Sequence, residues 1–237
     1  MSESCLRTAA CLDSDALAAS RRRELDLPHE RAAELGASAV EAIHNRSYRT
    51  GAGRQIDISR QIAAAKAARV SIPPDLEFPV RTSPPFPETA TLEGDPMYDA
   101  HRRRDDYESS DWAILSPHVP VFRTDDGTAL EEPWLLSVIT CAAPVAKRVG
   151  QPRSAELLRA RILRVLDIAR AWGYESLVLG AWGCGAFGND PKRTAEDFRS
   201  ALEGPFTGAF RQVVFAITDW SPERRFLAPF RDTFAHA

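Results

Sequence analysis

The chain has 237 residues, enough to enclose one sizeable core, and its 44% hydrophobic and 27% charged content is the balance of a globular domain. A net charge of −3 argues against a groove that tracks nucleic acid or a surface that seeks anionic lipid. Cys5, Cys11, Cys141 and Cys184 are scattered without paired spacing, which argues against a disulfide framework and a zinc site. No stretch approaches the ~20 apolar residues of a membrane helix, and Asp13 and Asp15 are out of place in a secretory signal. The expectation is a cytoplasmic protein with no metal, cofactor, membrane or direct nucleic-acid partner.

In chain order, residues 1–28 are of mixed composition and read as a flexible segment ahead of one domain spanning 29–237. Arg21–Arg22–Arg23 in the first segment and Arg102–Arg103–Arg104 further on are flanked by acids and read as solvated faces. Residues 29–45 are rich in Ala, Leu and Glu, and Leu35, Ala39, Ala42 and Ile43 share a helical face. Residues 47–58 read as a hairpin turning at Gly51 and Gly53, and Ser59 is placed to cap a second helix. Between residues 72 and 96, Pro73, Pro74, Pro79, Pro84, Pro85, Pro87 and Pro96 disfavour both a central strand and a helix.

Regular patterning returns with the apolar runs "WAILSP" and "VPVFR", a turn at "DDG", and "PWLLSVITCAAP", which reads as a buried strand. Residues 154–172 carry the clearest helical repeat, in Leu158, Ile162, Val165, Leu166 and Ala169, with Gly173 where a C-terminal cap belongs. "SLVLG" and "RQVVFAIT" are strands, and Asp190–Pro191 supplies a cap and a first-turn proline for the helix between them. Strands of continuous apolar character separated by helices predict an α/β sandwich.

The segment "VLGAWGCGAFGNDP" places four glycines between a strand and a helix start. Such a loop lets backbone approach a ligand closely, and amides at a helix start favour an anion, so it reads as a phosphate or diphosphate cradle. A tight structural turn is the plainer alternative. There is no Gly-Lys-Ser/Thr for a nucleotide-hydrolysing loop. "GCGAFG" matches the dinucleotide pattern literally, and Asp219 ends the next strand where a ribose-binding acid would stand. The helix starts too late, however, for the third glycine to pack it onto the sheet.

"LVLGAWGCGAFGNDP" followed by a helix and "VVFAITD" resembles the microbial-type poly(ADP-ribose) glycohydrolases, a branch of the macrodomain fold. The resemblance extends through "ILSPHVPVFRTDDG", "EEPWLLSVITCAAP" and "ERAAELGASAVEAIHNRSYRTGAGRQIDI". It implies a three-layer α/β/α macrodomain-like sandwich with a mixed sheet. It also implies that Gly183, Cys184, Gly185, Ala186, Phe187 and Gly188 bind the diphosphate of ADP-ribose, with Phe187 beside the released ribose. ADP-ribose or a related nucleotide, or an ADP-ribosylated protein, is the implied partner.

The family also carries a Gly-Gly-Gly run followed by Gln-Glu-Glu, whose second glutamate is the general acid. Neither run occurs in this chain, and the proline-rich stretch stands where they and a central strand are expected. Val145 likewise replaces an expected asparagine after Pro144. The resemblance therefore implies a nucleotide binder with no catalytic residue. The alternatives are a glycohydrolase with a replacement acid (Glu88, Glu93, Glu131 or Glu132), an NAD-binding protein, or a ligand-free interaction protein. Cys184 as an activated thiol, and His101 or His118 as catalytic groups, are weaker readings than ordinary structural roles.

Overall fold

A computed structural model of the chain describes residues 6–76 and 95–235. Helix α1 (Asp15–Leu25), capped by the Ser14 hydroxyl, lies within the segment in which composition suggested no element. Helix α2 (His29–Asn45) runs between the expected bounds, but Ala42 faces the core while Ile43 is 48% exposed. The hairpin of β1 (Ser47–Arg49) and β2 (Gln55–Asp57) follows, with Gly53 taking the positive φ its turn requires. In α3 (Ser59–Ala68), Ser59 is the first helical residue rather than the cap, because the Asp57 carboxylate two residues earlier accepts from its amide.

The second sheet has the order β3 (Val70–Ile72), β4 (Ala113–Arg123), β5 (Ala129–Cys141), antiparallel throughout. The two apolar runs read as separate are one strand, β4, with a register shift between Ser116 and Val119 where His118 takes a φ of +57°. The strand β5, expected to be buried, exposes Trp134, Leu135, Leu136 and Val138. It pairs with β4 alone among the described residues, and none of its residues is buried. Of the proline-rich stretch, residues 77–94 lie outside the described residues; Ile72 closes β3, and the buried Asp95 caps α4 (Pro96–Arg102).

After the short α5 (Ala146–Val149), α6 (Arg153–Ala171) ends as its pattern implied, with Gly173 at a φ of +74° and its amide bonded to Arg170. The strands β6 (Ser176–Leu179) and β7 (Gln212–Phe215) form a parallel pair joined by α7 (Pro191–Glu203), and α8 (Leu227–Phe234) follows. The main core packs Leu158, Ile162 and Leu166 of α6, Ala195, Phe198 and Leu202 of α7, and Phe230 of α8 against Leu177, Leu179, Val213 and Phe215. Further along α6, Ile168 joins Ile72, Ala113 and Leu115 on the antiparallel sheet, so this helix ties the two sheets together. The result is a mixed α/β fold whose sheet is divided between β5 and β6 among the described residues.

Candidate functional site

The glycine loop leaves β6 and is folded by its own polar groups. Asn189, 4% exposed, is the hub: its side-chain amide donates to the Pro144 carbonyl (2.9 Å) and the Gly183 carbonyl (3.0 Å), and its oxygen accepts from the Ser154 hydroxyl (2.7 Å). One side chain thus joins the loop to the turn before α5 and to the start of α6. Gly183 faces inward at a φ of +74°, where a Cβ would stand 2.7 Å from Asn189 Nδ2 and 2.9 Å from the Ala143 Cβ. Gly185 is the opposite case, since a Cβ there meets nothing within 4 Å.

The amides of Cys184, Gly188 and Asn189 bond to carbonyls inside the loop. Those of Gly185, Ala186 and Phe187 have no acceptor among the described residues, and these three residues are exposed. Exposed backbone amides without a protein acceptor are donors that water or an anionic ligand can take. The helix start contributes less than its sequence suggested. Asp190 Oδ1 accepts from Lys192 N (2.8 Å) and Arg193 N (3.2 Å), so the first-turn amides of α7 are already satisfied.

A groove of about 600 Å³ opens beside the loop, lined by Cys184, Gly185, Gly188, Asn189, Asp190 and Pro191 together with Lys147, Gln151, Arg225 and Phe226. Of the six expected ligand-binding residues, Cys184, Gly185 and Gly188 line this groove, Gly183 supports it from inside, and Ala186 and Phe187 are exposed next to it. Lys147, Gln151, Arg225 and Phe226 carry no local signal in the sequence, because they reach the loop from α5, from the turn after it and from the turn before α8. The stem of Lys147 crosses Gly188, whose absent Cβ would lie 3.0 Å from Lys147 Cε. Neither Lys147 nor Arg225 has an ion-pair partner among the described residues, and the Arg225 guanidinium lies 4.6 Å above the Phe226 ring. A shallower concavity on α7, lined by Glu196, Arg199, Ser200, Glu203 and Gly204, is crossed by the Arg199–Glu203 ion pair.

The acids and nucleophiles fall out differently. Asp219 does not face the groove as a ribose ligand: Oδ1 accepts from Ser221 N and Oγ, and Oδ2 from Phe226 N and Leu227 N. Desolvation raises its pKa, but these hydrogen bonds outweigh it and hold the carboxyl down at about 2. Glu131 pairs with Arg54 by the β1–β2 hairpin, away from the groove lining, and Glu88 and Glu93 lie outside the described residues. The Cys184 sulfur rests 3.5 Å from Thr194 Oγ1, and burial pushes its pKa up, the reverse of an activated thiol. His101 Nε2 accepts from the Ser110 amide and sits 2.6 Å from Ser110 Oγ, an ordinary satisfied pairing. The described residues contain no cluster of three or more metal-ligating side chains and no helix long and apolar enough to cross a membrane.

No protein-family model matches the chain, and no curated protein sequence does. Solved structures do. Poly(ADP-ribose) glycohydrolase from Thermomonospora curvata bound to the inhibitor ADP-HPD is 31% identical with a TM-score of 0.76, covering 87% of this chain and 100% of that one. The same enzyme in another structure gives 29% identity and a TM-score of 0.73 over the same shares. Poly(ADP-ribose) glycohydrolase from Deinococcus radiodurans in complex with ADP-ribose is 41% identical over 61% of this chain and 60% of that one, with a TM-score of 0.57. At 31% identity, and with the whole of the Thermomonospora structure covered, this chain belongs to the poly(ADP-ribose) glycohydrolase family.

Proposed function

We propose that the protein binds ADP-ribose, or a nucleotide sharing its diphosphate, on the glycine loop and does not hydrolyse poly(ADP-ribose). The observation that carries this reading is the run of three exposed residues, Gly185, Ala186 and Phe187, whose amides have no acceptor among the described residues, with the cations Lys147 and Arg225 in the adjoining groove. Phe226 under its guanidinium offers a flat wall for a base, and Gly185 leaves the space a phosphate needs. The ligands held by the Thermomonospora and Deinococcus enzymes support the choice of nucleotide.

Cleaving the ribose–ribose bond requires a proton at the leaving oxygen. Among the described residues the one carboxylate in the groove lining is Asp190, and it is spent on capping α7. The chain also lacks the Gly-Gly-Gly and Gln-Glu-Glu runs of the active members. A binder without an acid is the consistent reading, and the occupied state of Asp219 weighs against an NAD site of the dinucleotide type. Calorimetry against ADP-ribose, ADP and NAD, beside a polymer-hydrolysis assay, tests the proposal. With one phosphate loop, dissociation constants on the order of 10 μM to 1 mM are expected. ADP should compete nearly as well as ADP-ribose. Turnover of polymer that disappears in Glu88→Gln or Glu93→Gln would overturn the non-catalytic reading, and silence toward all three nucleotides at millimolar concentration would overturn the binding one.

A further inference from the structure

We infer that Asp13 is a positioning residue for the nucleotide groove, acting through Arg224 on the wall formed by Arg225 and Phe226. The inference rests on the nucleotide-site reading above. Arg224 immediately precedes that wall and takes a left-handed φ of +51°, a conformation that a non-glycine residue holds only when its surroundings enforce it.

Two sets of contacts enforce it here. From within the turn, Asp219 and Ser221 fasten the following amides: the Ser221 hydroxyl accepts from Arg225 N, and Asp219 accepts from Phe226 N and Leu227 N. From outside, more than two hundred residues away in sequence, Asp13 Oδ1 accepts from Arg224 Nε at 2.8 Å. Its second oxygen takes a bond from Arg231 of α8 at 3.4 Å, and Arg224 also returns to the Ser221 carbonyl at 3.1 Å.

The Asp13 and Arg224 side chains are 19% and 15% exposed, so solvent screens their pairing only in part. Asp15, which also accepts from Arg224, is 99% exposed and contributes little. The segment around Asp13 thereby grips one side of the groove through a single guanidinium, while the glycine loop opposite is held by Asn189 and does not depend on it. Loss of this grip leaves the loop intact and frees the wall.

The test uses the full chain with Asp13→Asn, Asp13→Glu, Asp15→Asn and Arg224→Gly, the last keeping the left-handed backbone without strain. Calorimetry with ADP-ribose is run beside site-resolved hydrogen exchange. Asp13→Asn and Arg224→Gly are expected to weaken binding roughly three- to tenfold. They should also speed exchange of the Arg225, Phe226 and Leu227 amides, with exchange in Leu158–Ala169 of α6 unchanged. Asp13→Glu should restore part of both effects, and Asp15→Asn should change neither. Unaltered exchange at 225–227 in both Asp13→Asn and Arg224→Gly overturns the inference, as does wild-type affinity in a wild type that binds. If the wild type binds no nucleotide, the function reading fails while the exchange data still decide whether Asp13 positions this wall.

Discussion

Gly183 and Gly185 stand two residues apart in one loop, and their surroundings predict opposite outcomes for a side chain. At Gly183 a Cβ forces a left-handed residue to carry a side chain, a cost of roughly 1–2 kcal/mol. It also meets Asn189 Nδ2 at 2.7 Å, and that amide cannot retreat without breaking its bond to Pro144 or to the Gly183 carbonyl. Losing one such buried bond costs about 1–3 kcal/mol more. Gly183→Ala should therefore destabilise the protein by about 2–5 kcal/mol, which for a chain of this length lowers the melting temperature by roughly 4–20 °C. At Gly185 nothing lies within 4 Å of the added atom. Gly185→Val should leave the melting temperature within about 2 °C of wild type. Its isopropyl group would occupy the space assigned to phosphate and reduce ADP-ribose affinity at least tenfold, about 1.4 kcal/mol. Thermal unfolding and calorimetry on the two variants decide the matter. Equal destabilisation by both substitutions, or wild-type ADP-ribose affinity in Gly185→Val, would refute the reasoning.

Lys147→Met, which keeps a stem across Gly188 and removes the charge, should weaken ADP binding several-fold at low salt, and the difference should shrink as salt rises, by titration at two ionic strengths. The Asp219 carboxyl, held down at about 2 in the fold, contributes stability that is complete above the ordinary carboxylate value near 3.9 and is lost as pH falls toward 2. Asp219→Asn should accordingly show a smaller loss of stability than wild type between about pH 4 and pH 2, followed by denaturant midpoints across that range. At pH 8 a thiol reagent should label the exposed Cys11 rapidly in the folded protein and leave Cys141 and Cys184 unmodified, because burial drives both of their pKa values up, that of Cys141 to about 11. Peptide mapping by mass spectrometry before and after denaturation checks it, and prompt labelling of Cys184 in the native protein would restore the activated-thiol reading.

What could be read from the residues alone was what local chemistry dictates. The bounds of α2, the β1–β2 hairpin, the Gly173 end of α6 and the Asp190–Pro191 start of α7 follow from periodicity and capping groups a few positions apart. The glycine loop was legible for the same reason. Burial was not, because an apolar run such as "PWLLSVITC" looks the same whether a neighbouring strand and layer cover it or, as for Trp134 and Leu136, they do not. Nor could sequence tell how shared groups would be spent. Asp219 looked like a ligand and closes its own turn, while Asp190 was correctly read as a cap, yet satisfies the very amides assigned to the anion. Lys147, Arg225 and Phe226 reach the loop from separate stretches of chain with no local signature, and Asp13 meets Arg224 from the far end of the sequence. Contacts of that separation are decided by packing, since only the folded backbone states which polar groups face one another and which are left facing water.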